Sequence, residues 1–235
     1  MTDAEVTDAI ARATSQLEGQ GLAALVALRD RVQAERAPAD PALGRTWDAL
    51  VEVAGRSPDD IADYLRHAEG RARWLAAVHG PAHPATIKAW SQLGDAADTE
   101  CAWDIAIRAW EAIVAQPLDG ADPEGQAILS AALRGLAARR LAGGQLDEAR
   151  RMFERDLAVT ERLYPGPDDQ LALSLGNLAS VLERLGSLPE ALQLRERQRD
   201  VLAAGGAAPA LVTRVEADVA RLRGRVSPGD IPHRG

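Results

Sequence analysis

The stretch SLGNLASVLERLGSLPEAL, residues 174–192, decides how this chain is to be read. Leu175, Leu178, Leu182 and Leu185 recur at three- and four-residue spacing, one stripe of a 3.6-residue helix. Gly186 follows the last of them, where a helix end favours a left-handed residue. Ser187-Leu188-Pro189-Glu190 then reads as the opening of a second helix. Its serine can cap, its proline is tolerated in the first turn, and its glutamate lies three residues after the serine, as in a capping box. Ala179 and Ala191 are small enough to let two packed helices approach closely. The segment is expected to be a helical hairpin. Asn177, the only asparagine in the chain, stands on its first helix, where an ordinary helical hairpin has no evident need for an amide.

The hairpin recurs. An offset of 42 residues takes Leu136-Ala137 to Leu178-Ala179, Gly144 to Gly186, Leu146 to Leu188 and Glu148-Ala149 to Glu190-Ala191. An offset of 43 takes Leu93 to Leu136 and Ala106 to Ala149, and another 43 takes Pro41 to Pro84, Trp47 to Trp90 and Leu50 to Leu93. A fixed period of this length marks a repeat array in which each unit is one supersecondary element. The reading places a divergent helix pair in 1–36, near 3–17 and 20–35. Four repeats fill 37–203, with helix pairs near 41–55 and 58–78, 84–98 and 101–115, 124–142 and 146–164, and 169–185 and 189–203. A helix in 204–225, near 208–225, should cap the open end, and the proline- and glycine-rich tail 226–235 should be disordered. Thr2 with Glu5 reads as the capping box of the first helix. All five tryptophans lie between residues 47 and 110, so the middle repeats are expected to be the most heavily packed.

Composition agrees with helices and narrows function. Hydrophobic residues make up 46% of the chain and aromatic residues only 3%, with alanine, leucine and arginine dominant. Lys88 is the one lysine among 27 cations, a bias that suggests the codon usage of a high-G+C bacterial genome, as in many actinobacteria. A net charge of −8 argues against a nucleic-acid partner, which needs a basic face to displace counterions. No apolar run approaches the roughly 20 residues needed to cross a bilayer, and the acidic N-terminus lacks the pattern of a signal peptide. The single cysteine, Cys101, forms no internal disulfide and fits a reducing compartment, so the cytoplasm is expected.

The spacing L-A-x6-G-x3-E-A resembles the tetratricopeptide repeat, and a unit of about 42 residues resembles the longer repeats of kinesin light chains. Asn177-Leu178-Ala179 is similar to the N-L-A of those repeats. Gly80-Pro81-Ala82-His83-Pro84 and Gly166-Pro167-Asp168-Asp169 are similar to their G-P-D-H-P linkers, with Ala37-Pro38-Ala39-Asp40-Pro41 a weaker copy. The resemblance covers residues 37–203. It implies an all-α fold, a right-handed α-solenoid of stacked antiparallel helix pairs whose concave groove is lined by the first helix of every unit.

The resemblance also implies which side chains face that groove. The residue before the Leu-Ala pair is Ala49, Gln92, Gly135 or Asn177 in successive units. An amide there can donate to and accept from a peptide backbone, so it holds an extended chain without demanding a side-chain sequence. Only one of the four positions is asparagine, so a full ladder is absent. Arg45, Asp48, Glu52, Lys88, Asp95, Arg134, Ser180 and Arg184 are the other groove residues expected. Their signs are mixed, which points to a partner segment carrying both signs; a clamp of cations and asparagines for a uniformly acidic tail is not reproduced at these positions.

No constellation for catalysis or a cofactor emerges. His79 and His83 are four residues apart, but Gly80 and Pro81 interrupt the helix that would align them. Cys101 takes the turn position that glycine takes in later units and is expected to be a small, partly buried residue. Asp119, Asp122 and Glu124 are acidic but lack the ligand spacing of a calcium loop. The expectation is a cytoplasmic adaptor or scaffold that binds a protein or peptide, without enzymatic activity, metal or cofactor. A regulatory module that changes shape on binding a small peptide or ligand is the alternative.

Overall fold

The computed structural model describes residues 1–16, 18–56 and 61–226. Among them lie eleven α-helices and no strand. The chain divides into two compact units, 1–117 and 118–235. The first contains α1 (Asp3–Thr14), α2 (Glu18–Glu35), α3 (Pro41–Ala54), α4 (Ile61–His79), α5 (Pro84–Thr99) and α6 (Trp103–Val114). The second contains α7 (Pro123–Ala142), α8 (Leu146–Leu163), α9 (Asp169–Leu185), α10 (Leu188–Ala204) and α11 (Pro209–Arg223). These are the helix pairs expected from the period. The expected tail lies outside the described residues from 227 onward, as does the expected start of the second helix of the 41–78 pair.

The linkers start the first helix of each pair in one way. Asp40, His83, Asp122 and Asp168 stand at the N-caps of α3, α5, α7 and α9, and each side chain accepts a backbone N–H of the first turn. Pro41, Pro84 and Pro123 follow three of these caps at the position where a missing N–H leaves nothing unsatisfied. Thr2 and Glu5 form the capping box expected for α1.

Inside three of the hairpins, α5–α6, α7–α8 and α9–α10, the chain turns through a left-handed residue. Gly144 and Gly186 have φ of 79° and 82°, and Cys101 occupies the same place at 58°. The next amide in each case reaches back to a carbonyl in the last turn, from Ala102 to Ala97, Gln145 to Arg140 and Ser187 to Leu182, at 2.8–2.9 Å. Two expectations are corrected here. Ser187 does not cap α10, because this turn holds it at φ −77° and ψ 62°, and its side chain makes no capping bond. Ala102 and Gln145 start α6 and α8 in nearly the same conformation, so the turn, not the residue type, opens the second helix. Cys101 is exposed instead of partly buried, since a left-handed turn residue projects outward from the hairpin.

Small residues set the helix spacing. Ala149, Ala179 and Ala191 are fully buried. Gly70 of α4 lies against the ring of Trp47, Gly44 of α3 against that of Trp74, and Gly94 of α5 against Trp110; at the last, an added Cβ would sit 2.7 Å from the indole nitrogen. The tryptophans are not uniformly interior, however: Trp90 and Trp110 are buried, whereas Trp103, in the first turn of α6, is 36% exposed. In the second unit Phe153, Leu157, Leu171, Leu175, Leu178 and Leu182 form the core, which Val219 and Leu222 of α11 close. In the first, Val6, Leu25 and Val32 of the opening pair pack on Leu43, Leu50 and Val53.

Candidate functional site

The face of α9 that carries Asn177 also carries Leu173, Ser180 and Arg184, at spacings of four, three and four residues. Asn177 is partly exposed, and its amide makes no hydrogen bond among the described residues. One turn earlier, Leu173 is 46% exposed, the more open of two exposed large apolar side chains among the described residues. Leu173 is not among the groove residues expected from the sequence, although it falls outside the Leu171, Leu175, Leu178, Leu182 stripe. Ser180 donates to the Gly176 carbonyl at 2.8 Å and accepts from Arg195 at 2.8 Å. Arg184 is exposed, and its Nη1 donates to the Leu141 carbonyl at 2.8 Å.

Arg134 has a different setting. Its guanidinium donates to Ser130 Oγ at 2.7 Å and to Gln170 Oε1 at 3.0 Å, and stands 3.4 Å from Asp156 Oδ1. Asp156 is fully buried and accepts from Ser130 at 2.5 Å and Ser174 at 2.7 Å. The hydroxyl of Thr160 lies 3.2 Å from that of Ser130 and 3.1 Å from that of Ser174. Burial pushes the Asp156 carboxyl above the usual range, against the pull of Ser130, the Arg134 charge, Ser174 and Thr160. This polar network ties α7, α8 and α9 together and takes up much of Arg134's donor capacity.

In the first unit, Asp48 accepts from Arg71 of α4, Glu52 accepts from Arg56 at 2.6 Å, and Arg45 stands 3.7 Å from Asp3. Lys88, Gln92 and Asp95 are exposed along α5. The Gln92 amide makes no hydrogen bond among the described residues. Although Asp95 is exposed, the surrounding chain displaces enough water to push its carboxyl up, and Asp98 adds to this. Ala49, which takes the asparagine position in its repeat, is only 5% exposed within the core built with α1 and α2.

Each unit also carries a hollow. In the second unit an open pocket of about 360 Å³ is lined by Ser180, Glu183, Arg184, Arg195, Arg221 and Arg225. In the first, a hollow of about 570 Å³ lies beside α2 and α4, with Leu22, Val26, Arg29 and Asp63 on its walls and His67 at its base. His67 is 3% exposed, its Nδ1 finds no partner among the described residues, and burial and then Arg29 push its pKa down.

Elsewhere the reactive residue types have structural duties. The rings of His79 and His83 stack at 4.9 Å, and Nδ1 of His83 accepts the Ala85 amide. Asp119 accepts from Arg155 at 2.7 Å, which holds its carboxyl below the usual range, and Asp122 caps α7. Among the described residues, no group of three or more His, Cys, Asp or Glu side chains is placed to hold a metal ion. Nor is any of their helices long and apolar enough to cross a membrane.

Residues 128–202, which span most of α7 through most of α10, match the family model of the Tetratricopeptide repeat. Solved structures of kinesin light chain-like repeats share the fold. A point-substituted form of such a protein from Podosopora anserina, with nearly identical TPR-like repeats, is 18% identical with a TM-score of 0.54, covering 79% of this chain and 87% of its own. A second structure of the Podosopora anserina repeats is 17% identical with a TM-score of 0.55, covering 86% and 97%. BtubC (BKLC) from P. vanneervenii is 16% identical with a TM-score of 0.54, covering 88% and 91%. The likeness at these identities is one of fold: the chain is a tetratricopeptide-like α-solenoid. No curated protein sequence matches it.

Proposed function

We propose that this chain is a cytoplasmic, non-catalytic binding module that holds an extended segment of a partner protein or peptide against the first-helix face of its hairpins. The repeat fold is one built for protein interaction, since stacked hairpins present long faces with little demand on loop chemistry. Asn177 carries the reading. Its amide is partly exposed, bonds to nothing in the described chain, and lies one turn from the exposed Leu173. A peptide backbone would satisfy both the donor and the acceptor of that amide, and an apolar side chain of the partner would cover Leu173. Gln92 repeats the amide in the first unit. Arg45 and Lys88 beside Asp48, Glu52 and Asp95 in the first unit, and Arg134, Ser180 and Arg184 in the second, support a partner of mixed charge.

The test selects binders of the full chain from a peptide library and measures them by calorimetry against wild type and Asn177→Ala. Loss of the amide should weaken binding by about 1 kcal/mol, roughly fivefold, the net worth of one neutral hydrogen bond. Stability should barely move. Unchanged affinity together with lost stability would show that Asn177 serves the fold, and the reading would fall.

A further inference from the structure

We propose that the second unit carries an oxyanion-binding pocket, built by Arg184 of α9, Arg195 of α10, Arg221 of α11 and Arg225 just beyond it. These residues and Glu183 surround the open hollow of about 360 Å³, near the lower end of the roughly 300–1,000 Å³ typical of small-ligand sites. Four guanidiniums face one lining carboxylate. Even counting Asp218, which holds Arg221 from outside the lining, two positive charges are left over in a chain whose net charge is −8.

Three of the four cations are anchored by the protein. Arg195, with its side chain 13% exposed, donates to Gln198 Oε1 and Ser180 Oγ, both at 2.8 Å. Its Nε is buried, has no hydrogen-bond acceptor among the described residues, and lies 3.7 Å from Glu183 Oε1. Arg221 donates to Glu183 at 2.9 Å and to Asp218 at 3.0 Å. Glu183 therefore acts as a brace between Arg195 and Arg221, and does not fill the hollow itself. Arg184 spends one Nη1 on the Leu141 carbonyl, and the Arg225 side chain has no hydrogen bond or ion pair among the described residues. Among the described residues, acceptors thus take only a fraction of the N–H donors that line the space.

An arginine fork matches the paired oxygens of a carboxylate, phosphate or sulfate, and fixed forks lose little freedom when such a group arrives. A cation would meet the net positive charge of the lining. The ligand chemistry is an oxyanion, supplied either as a free small anion or by the acidic side chains of a peptide. The pocket shares Ser180 and Arg184 with the proposed peptide face but does not depend on it, because a small anion probes it alone.

The experiment titrates inorganic phosphate and inorganic sulfate into the full chain at constant ionic strength, with chloride as the balancing ion. Binding is followed by thermal stability and by NMR shifts of arginine side-chain N–H groups. The expected result is a saturable effect in the wild type that weakens at least tenfold in the Arg184→Gln/Arg225→Gln variant. Those two side chains are exposed and neither braces the buried network, so the variant should keep its fold, which circular dichroism checks. The Arg184→Lys/Arg225→Lys variant keeps the charge but loses the forks, and should fall between the two. A glutamate-rich peptide and its glutamine counterpart separate the sources: displacement of phosphate by the former alone assigns the anion to a peptide, and no displacement by either assigns it to a free anion. The proposal is overturned if neither anion acts beyond chloride, or if wild type and the glutamine variant respond alike.

Discussion

Nη1 of Arg134 and Oδ1 of Asp156 lie 3.4 Å apart across the α7–α8 hairpin, the arginine side chain 19% exposed and the carboxylate wholly buried. The pair continues into α9 through Ser174 and Gln170. A buried carboxylate costs several kcal/mol unless paired and hydrogen-bonded, and here three hydroxyls and one guanidinium surround it. The network therefore fixes how the two helix pairs of the second unit stack.

The same burial gives stability a pH signature. Because the Asp156 carboxyl is raised in the folded protein, it binds its proton more tightly there than in the unfolded chain. Its stabilising contribution is fully present below the unfolded value, about 3.9, and is lost as pH rises through the folded value. Chemical denaturation of wild type and Asp156→Asn over a pH series should show their difference shifting in the wild type's favour as pH falls towards that range. A difference independent of pH would mean that Asp156 titrates as it does when unfolded.

The helix boundaries were legible because residues with backbone duties mark them: Asp168 and Pro84 at starts, Gly144 and Gly186 at turns. The network was harder to see. Ser130 and Arg134, Asp156 and Thr160, and Gln170 and Ser174 are each four residues apart, and such pairs usually read as solvated faces. A sharper signal was present, since Asp156 continues the apolar stripe of Ala149 and Phe153, a core position. The arginine pocket escaped for another reason. Its members come from three helices, and no spacing along the chain says that Arg195, Arg221 and Arg184 meet.

Cys101 has a side chain where Gly144 and Gly186 have none, in a left-handed turn at φ 58°. A non-glycine residue is disfavoured there by roughly 1–2 kcal/mol, partly offset by the freedom glycine gains in the unfolded chain. Cys101→Gly should stabilise the first unit by about 0.5–1 kcal/mol, visible as a higher melting temperature. The reverse substitution, Gly186→Ala, should destabilise by about 1 kcal/mol. A loss of stability in Cys101→Gly would show that the thiol has a packing role despite its exposure.

Gly70 and Trp47 test the close crossing of α3 and α4. A methyl at Gly70 would fall within the van der Waals envelope of the indole ring, which also stacks under Arg29 at 5.1 Å. Gly70→Ala should therefore destabilise by about 1–3 kcal/mol, although alanine is the better helix former by roughly 1 kcal/mol. Ala191→Leu, in the fully buried crossing of α9 and α10, should cost a similar amount. Denaturant unfolding decides both, and a more stable Gly70→Ala protein would mean that the ring can move aside without loss.

Leu173 and Leu175 separate binding from folding on a single helix. Leu175 is fully buried, and its truncation to alanine should cost about 2–5 kcal/mol of stability, the range for a buried leucine. Leu173 is 46% exposed, so its truncation removes little from the folded core. If a partner covers the remaining surface of Leu173 when its backbone reaches Asn177, Leu173→Ala should weaken binding by about 1 kcal/mol, since burying a whole leucine is worth about 1.5–3 kcal/mol and only part of this one is open. The Leu173→Ala and Asn177→Ala losses should not simply add, because residues one turn apart share a contact, and a double-mutant cycle measures the coupling. Binding that survives both substitutions would move the partner off α9, to the other helices or the loops.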